Sequence, residues 1–186
     1  RHIGQGLAYA WSRKDLLGTY LVDTAAMLMA FPMALFPFVA EDLDAEWALG
    51  LLYTAPFVGS LVATLTSGWA THVRRQGRAI VLAAGVWGAG IAAFGMTDSI
   101  WWALLWLAVG GARYMVSGLF RSAVWNQTIP DEVRGRMAGV ELLSYSIGPN
   151  LGQVRASGVA ALTSLRFSIV SGGVACVAAC GVLALA

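Results

Sequence analysis

The chain has 186 residues, 58% of them hydrophobic and only 12% charged, with a net charge of +2. Soluble domains carry about 25% charged residues, so the composition excludes an ordinary water-soluble core. The same shortage of cations leaves the eight Trp without the basic groove that nucleic-acid binding needs, and the two cysteines and two histidines point to no disulfide framework or metal site.

In chain order, residues 1–16 are polar enough for an aqueous lead-in, with Ser12 and Asp15 spaced as a capping box for the helix that follows. A chain that opens at Arg1 with neither Met nor a signal-peptide pattern reads as part of a longer protein. The first apolar span, 17–39, is about 34 Å long at ~1.5 Å per residue, enough for a ~30 Å hydrocarbon core. It holds Asp23 and, near its far end, Phe31-Pro32 and Phe36-Pro37, whose prolines are expected to kink or unwind the last turns. A loop with four carboxylates and no base follows, Glu41 to Glu46. The second span, 48–71, contains Pro56 and exits into the basic run His72 to Arg78. The third, 79–98, is rich in Gly and Ala and carries no charge before Asp98.

The fourth span, 100–122, opens on Trp101-Trp102, an interfacial aromatic anchor. Between it and the fifth, 137–159, lies the charged hinge Thr128 to Gly139. Pro130 suits the first turn of a helix there, and Asp131 and Glu132 sit where the helix dipole favours negative charge. The fifth span carries Glu141, Pro149 and Arg155, and the sixth, 167–186, has no ionisable side chain besides two thiols.

Counting bases in the connections gives orientation. One side holds Arg1, Arg13, Lys14, Arg74, Arg75, Arg78, Arg121, Arg134 and Arg136, and the other only Arg166. By the positive-inside rule both termini of this segment are cytoplasmic, in a multi-pass protein of the cell membrane. The spans also divide into two sets of three. Asp23 lies in the first span and Arg113 in the fourth, whereas the third and sixth carry none inside. A buried charge must face protein or water, so the first and fourth spans are expected to line a cavity and the third and sixth to face lipid. The predicted fold is all-α, six transmembrane helices arranged as two inverted three-helix repeats.

On these residues the chain resembles the C-terminal half of a major facilitator superfamily transporter, in the branch containing the enterobactin exporter and related drug-efflux permeases. The resemblance is carried by Gly6-Leu7 and Tyr9, Asp23, Leu35-Phe36-Pro37, Gly50-Leu51-Leu52 with Gly59, the Gly68-to-Arg78 loop, Pro130 to Arg136 and Gly148-Pro149. In the Gly68–Arg78 loop, Gly68, Gly77 and Arg78 match the superfamily's Gly-x-x-x-Asp-Arg-x-Gly-Arg signature, with longer spacing and His72 where the acid is sought. The resemblance implies half of a twelve-helix transporter with no cofactor. It implies proton-coupled export of amphipathic small molecules, siderophore or drug-like, by alternating access against a missing N-terminal six-helix half. A non-transporting scaffold whose buried charges are only structural is the rival reading. No intramembrane Ser–His or His–carboxylate set supports an enzyme.

Candidate site residues follow. Asp23 is either a proton-coupling residue or half of a structural ion pair with a neighbouring arginine. Arg113, close to mid-membrane, needs a substrate anion or a permanent partner such as Asp23. The resemblance places a carboxylate about where Tyr114 stands, which makes Tyr114 a cavity candidate. Glu141 is within reach of Arg134 or Arg136 for a cytoplasmic gate to which Gly135 and Arg121 also contribute, or it serves the helix dipole. Gly148 and Pro149 are expected to break the fifth helix, as packing surface or hinge, and Pro32 and Pro37 are hinge candidates in the first. Arg155 is expected to snorkel to the interface.

Overall fold

The computed structural model describes residues 14–68, 73, 76–129 and 131–185. The lead-in over 1–13, His72, the arginines at 74 and 75, and Pro130 therefore lie outside the described residues. Seven α-helices stand among those described: α1 (Lys14–Met29), α2 (Phe36–Asp42), α3 (Leu49–Leu65), α4 (Gln76–Met96), α5 (Ile100–Thr128), α6 (Asp131–Leu162) and α7 (Leu165–Leu185).

The first span is broken rather than kinked. Pro32 has no N–H to continue the ladder and disfavours helix at Phe31, so α1 stops at Met29. A short 3-10 turn at Met33–Leu35 carries the chain into α2, where Pro37 sits in the first turn and its missing N–H is harmless. Gly18 to Asp42 still forms one 25-residue crossing. Asp44, at φ 48°, makes the left-handed turn that starts the way back.

The expected break at Pro149 does not occur. α6 runs unbroken through it for 32 residues, as α3 runs through Pro56. The Pro149 nitrogen lacks the proton that would reach the Tyr145 carbonyl, and beside that gap the Asn150 amide donates to the Ser146 carbonyl at 2.6 Å. α3 ends earlier than the expected 71: past Leu65, Thr66 and Ser67 turn their hydroxyls back onto the Val62 and Thr64 carbonyls and satisfy the final turn. α5 ends later than the expected 122, because nothing before Pro130 interrupts it.

Five of the crossings among the described residues are long and apolar enough to span a bilayer: Gly18–Asp42, Glu46–Leu65, Gly77–Met96, Ile100–Thr128 and Leu165–Ala184. At ~1.5 Å per residue α6 reaches about 48 Å and is long enough too, but its charged first half makes it less apolar. The outward side chains Phe57, Leu61, Leu65, Val154 and Val182 are mostly exposed, which fits contact with lipid or protein rather than water. The chain is a multi-pass, all-helical membrane protein.

α4 packs along both α5 and α7, α3 along α5, and α1 against α6, α7 and α4. Close approach depends on glycine. A Cβ at Gly59 of α3 would overlap the Ala108 carbonyl of α5, and one at Gly111 of α5 would overlap the Pro56 carbonyl of α3. The Ser60 hydroxyl sits at the same crossing, 2.9 Å from the Pro56 carbonyl and 3.0 Å from that of Gly111. At the α1–α6 crossing, Gly152 lies against the Met27 carbonyl with equally little room. α4 and α7 meet through Gly88 and Gly173, each against the other's carbonyl. Of the third and sixth spans, expected to face lipid, much is packed inside the bundle, and the exposed stripes include Leu82 and Val86 on α4 and Val174 and Val182 on α7.

The bundle has one basic and one acidic end. At the acidic end Arg166, at the start of α7, donates to Asp42, the last residue of α2, through Nε (3.1 Å) and Nη2 (2.9 Å), and to Asp98 between α4 and α5 through Nη1 (2.5 Å). One guanidinium thus joins all three turns at that end.

Candidate functional site

The buried face of α1 is Thr19, Val22, Asp23, Ala26, Met27 and Ala30, the 3–4 spacing of one helical stripe with a carboxylate in its middle. The buried stripe of α5 has the same period, running from Ala103 through Leu107, Gly110 and Ser117 to Arg121 and Trp125. Where these stripes meet, Arg121 Nη1 forms an ion pair with Asp23 Oδ1, and the residues are only 2% and 4% exposed. The Tyr114 hydroxyl, seven residues before Arg121 and so on the same face, donates to Asp23 Oδ1 at 3.4 Å.

The guanidinium carbon also lies 5.8 Å from the ring centroids of both Tyr114 and Tyr145, the latter on α6. Two aromatic faces therefore share a cation that water does not reach. Trp87 of α4 backs Tyr114 at 5.5 Å. Toward the basic end, Trp125 donates from Nε1 to Thr19 Oγ1 at 3.0 Å and stacks on Tyr20 at 4.9 Å. Beside these rings lies a cavity of about 150 Å³ lined by Tyr20, Ser122, Trp125, Asn126 and Glu141. Arg121 Nε and the Tyr20 hydroxyl are buried without a hydrogen-bond partner among the described residues. Removing either member of a buried ion pair is strongly destabilising, so this pair has to be kept or exchanged as a unit.

The structure thus brings Asp23, Tyr114 and Arg121 together, with half-buried Glu141 nearby. It corrects the expected partner of Asp23. That partner is Arg121, which the base count had put in a loop because the fourth span was ended at 122. Arg113 is exposed, on the α5 stripe of Trp102, Leu105 and Val109. Arg155 does not snorkel: its half-buried side chain turns in beside Gly172 of α7, with Nε and Nη2 buried and lacking a hydrogen-bond partner among the described residues.

Gly68 is exposed just past the end of α3, and Gly77 and Arg78 are exposed at the start of α4. Gly135 is exposed near the start of α6, and the side chains of Arg134 and Arg136, the expected gate partners of Glu141, lie outside the described ones. Pro32 is buried at the break and Pro37 exposed in α2. Gly148 is buried where an added Cβ would come within 3.3 Å of Met27, and Pro149 is half-buried. Sequence reasoning missed Tyr145 and Trp125. The stripe period of α5 could have found Trp125 and the burial of Arg121; Tyr145 has no such signal, since it lies on the exposed side of α6.

Comparison with known proteins agrees in kind. Over 121 residues, 65% of the chain, the sequence is 27% identical to an uncharacterized MFS-type transporter, YcaD, of Escherichia coli O139:H28 strain E24377A. The same similarity holds to YcaD of strains O9:H4 HS and K12 DH10B. The matched stretch covers 32% of the length of those relatives. No family model and no solved structure matches the chain. The chain is thus similar, over part of its length, to part of an MFS-type transporter, and its long apolar helices fit a multi-pass membrane protein.

Proposed function

We propose that the chain is one six-helix half of a proton-driven secondary transporter that exports amphipathic small molecules, its basic end cytoplasmic. One observation carries the reading: a carboxylate–guanidinium pair with spare donors, sealed between α1 and α5. Ionisable groups at membrane depth are costly and mark substrate or proton pathways. Protonating Asp23 would free Arg121, whose remaining attraction is to Tyr145 and Glu141 on α6, so a proton can shift α1 and α5 relative to α6.

Two further features support an inverted three-plus-three arrangement. Pro56-x-x-Gly59 in the second crossing and Pro149-x-x-Gly152 in the fifth each set a glycine against a carbonyl of the first helix of the opposite triplet, Ala108 or Met27. The reciprocal Gly88–Gly173 contact is what a two-fold axis between the third and sixth crossings requires. In such an arrangement α3 and α6, with long exposed apolar faces, are the helices that would meet the N-terminal half. Exposed Arg113 would then face that half or the substrate.

The test is dye flux. Inverted vesicles containing the full-length protein are energised with a proton gradient, and accumulation of a cationic fluorescent amphiphile such as ethidium and of an anionic one is followed. Gradient-driven accumulation of either dye is expected, and Asp23→Asn should abolish it while dye binding persists. A parent protein that moves neither dye, or an Asp23→Asn variant that transports normally and only melts earlier, would turn the reading toward a scaffold with a structural pair.

A further inference from the structure

At the basic end α1, α4, α5 and α7 draw apart around a cavity of about 640 Å³, within the ~300–1,000 Å³ of ordinary ligand clefts. Its wall is apolar, with Val22 from α1, Ile80 and Val81 from α4, Val124 from α5 and Leu183 from α7. Gly18 and Gly77 also line it, and a Cβ on either would meet nothing within 4 Å. The glycines at the helix crossings, by contrast, have no such room, so this space is an opening rather than a packing device. None of its lining residues comes from α3 or α6, so it faces away from the side assigned to the other half.

Arg78, exposed at the first turn of α4, lines the cavity and is the one charged residue among the described lining residues. A guanidinium matches phosphate oxygens with two parallel hydrogen bonds and binds them more strongly than a neutral donor would. Basic pockets between membrane helices at headgroup depth take anionic lipid headgroups. A largely apolar slot of this size, with Arg78 as the cation among its described lining residues, fits one molecule whose tail is hydrocarbon and whose head is an anionic phosphate.

We propose that this cavity is a binding site for an anionic phospholipid, with an acyl chain between α1, α4, α5 and α7 and its phosphate on Arg78. The proposal rests on the reading of these helices as membrane-crossing and is independent of what is transported. The test uses the full-length protein, delipidated in mild detergent and examined by native mass spectrometry with phosphatidylglycerol or phosphatidylcholine of matched chains. The wild type is expected to retain one phosphatidylglycerol in preference to phosphatidylcholine by roughly five- to tenfold. Arg78→Gln should bring the two lipids close to parity without emptying the cavity. Gly18→Leu, whose new side chain enters the open space, should lower retention of both, and Gly77→Leu should repeat the result from the other wall if the first variant folds poorly. Equal retention of the two lipids by the wild type, an undiminished preference in Arg78→Gln, or full retention in both leucine variants would overturn the assignment.

Discussion

Asp23 and Arg121 stabilise each other against the cost of leaving water, and neither tolerates losing its partner. Arg121→Leu leaves a carboxylate buried beside Tyr114, which is expected to cost about 3–5 kcal/mol and lower the melting temperature of the detergent-solubilised protein sharply. The double variant Asp23→Leu with Arg121→Met removes both charges at similar volume and should recover most of that loss. Melting curves for the two variants decide: equal instability of single and double variants would mean that the residues matter through packing and not as a pair. Arg121→Lys should fall between them, because an ammonium keeps the charge but gives up the planar stacking on Tyr114 and Tyr145.

At the scale of the helices, the crossings are fixed by where a side chain is missing. Gly152→Leu would drive a side chain into the Met27 carbonyl, and overpacking of this kind costs about 1–3 kcal/mol or more. Gly158→Ala, also on α6 but facing open space, should be neutral or stabilising by about 0.5–1 kcal/mol. Thermal melting of the pair checks this, and similar losses for both would show that helix propensity rather than the α1–α6 contact is at work. Much of this level was legible in the sequence, since apolar length and the acid, proline and tryptophan punctuation place the crossings. The two prolines were read less well. Pro32 ends a helix because a second proline and a 3-10 turn follow it, whereas Pro149 lies in a helix held against α1 through Gly148 and Gly152. The arginine that pairs with Asp23 was misassigned for a related reason: the end of the fourth crossing was judged from hydropathy. The 3.6-residue period puts Arg121 on the stripe of Leu107 and Gly110 and leaves Arg113 off it, but it does not say which acid on another helix the arginine meets.

For the whole molecule, Lys14, Arg78, Arg134 and Arg136 lie near the starts of their helices at one end among the described residues, against Arg166 at the other. Cysteines introduced at Gln76 and Asn126 should react with an impermeant maleimide only from the cytoplasmic side, and one at Asp44 only from outside. Labelling at Asp44 from the cytoplasm in sealed vesicles would reverse the orientation. The three turns at the Asp44 end are gathered on Arg166, whose side chain is 42% exposed. Half-exposed pairs of this kind contribute about 0–1 kcal/mol each, so the clasp sets geometry more than stability. Stiffness is then distributed unevenly, like ribs of a fan riveted at one end. Rotating a helix by about 5° around such a rivet carries the far end of a ~30 Å crossing through roughly 3 Å. The space between α1, α4, α5 and α7 can therefore widen or narrow while every contact at the rivet stays as it is. Loosening Arg166 would change motion at the opposite membrane face, which that side chain never touches.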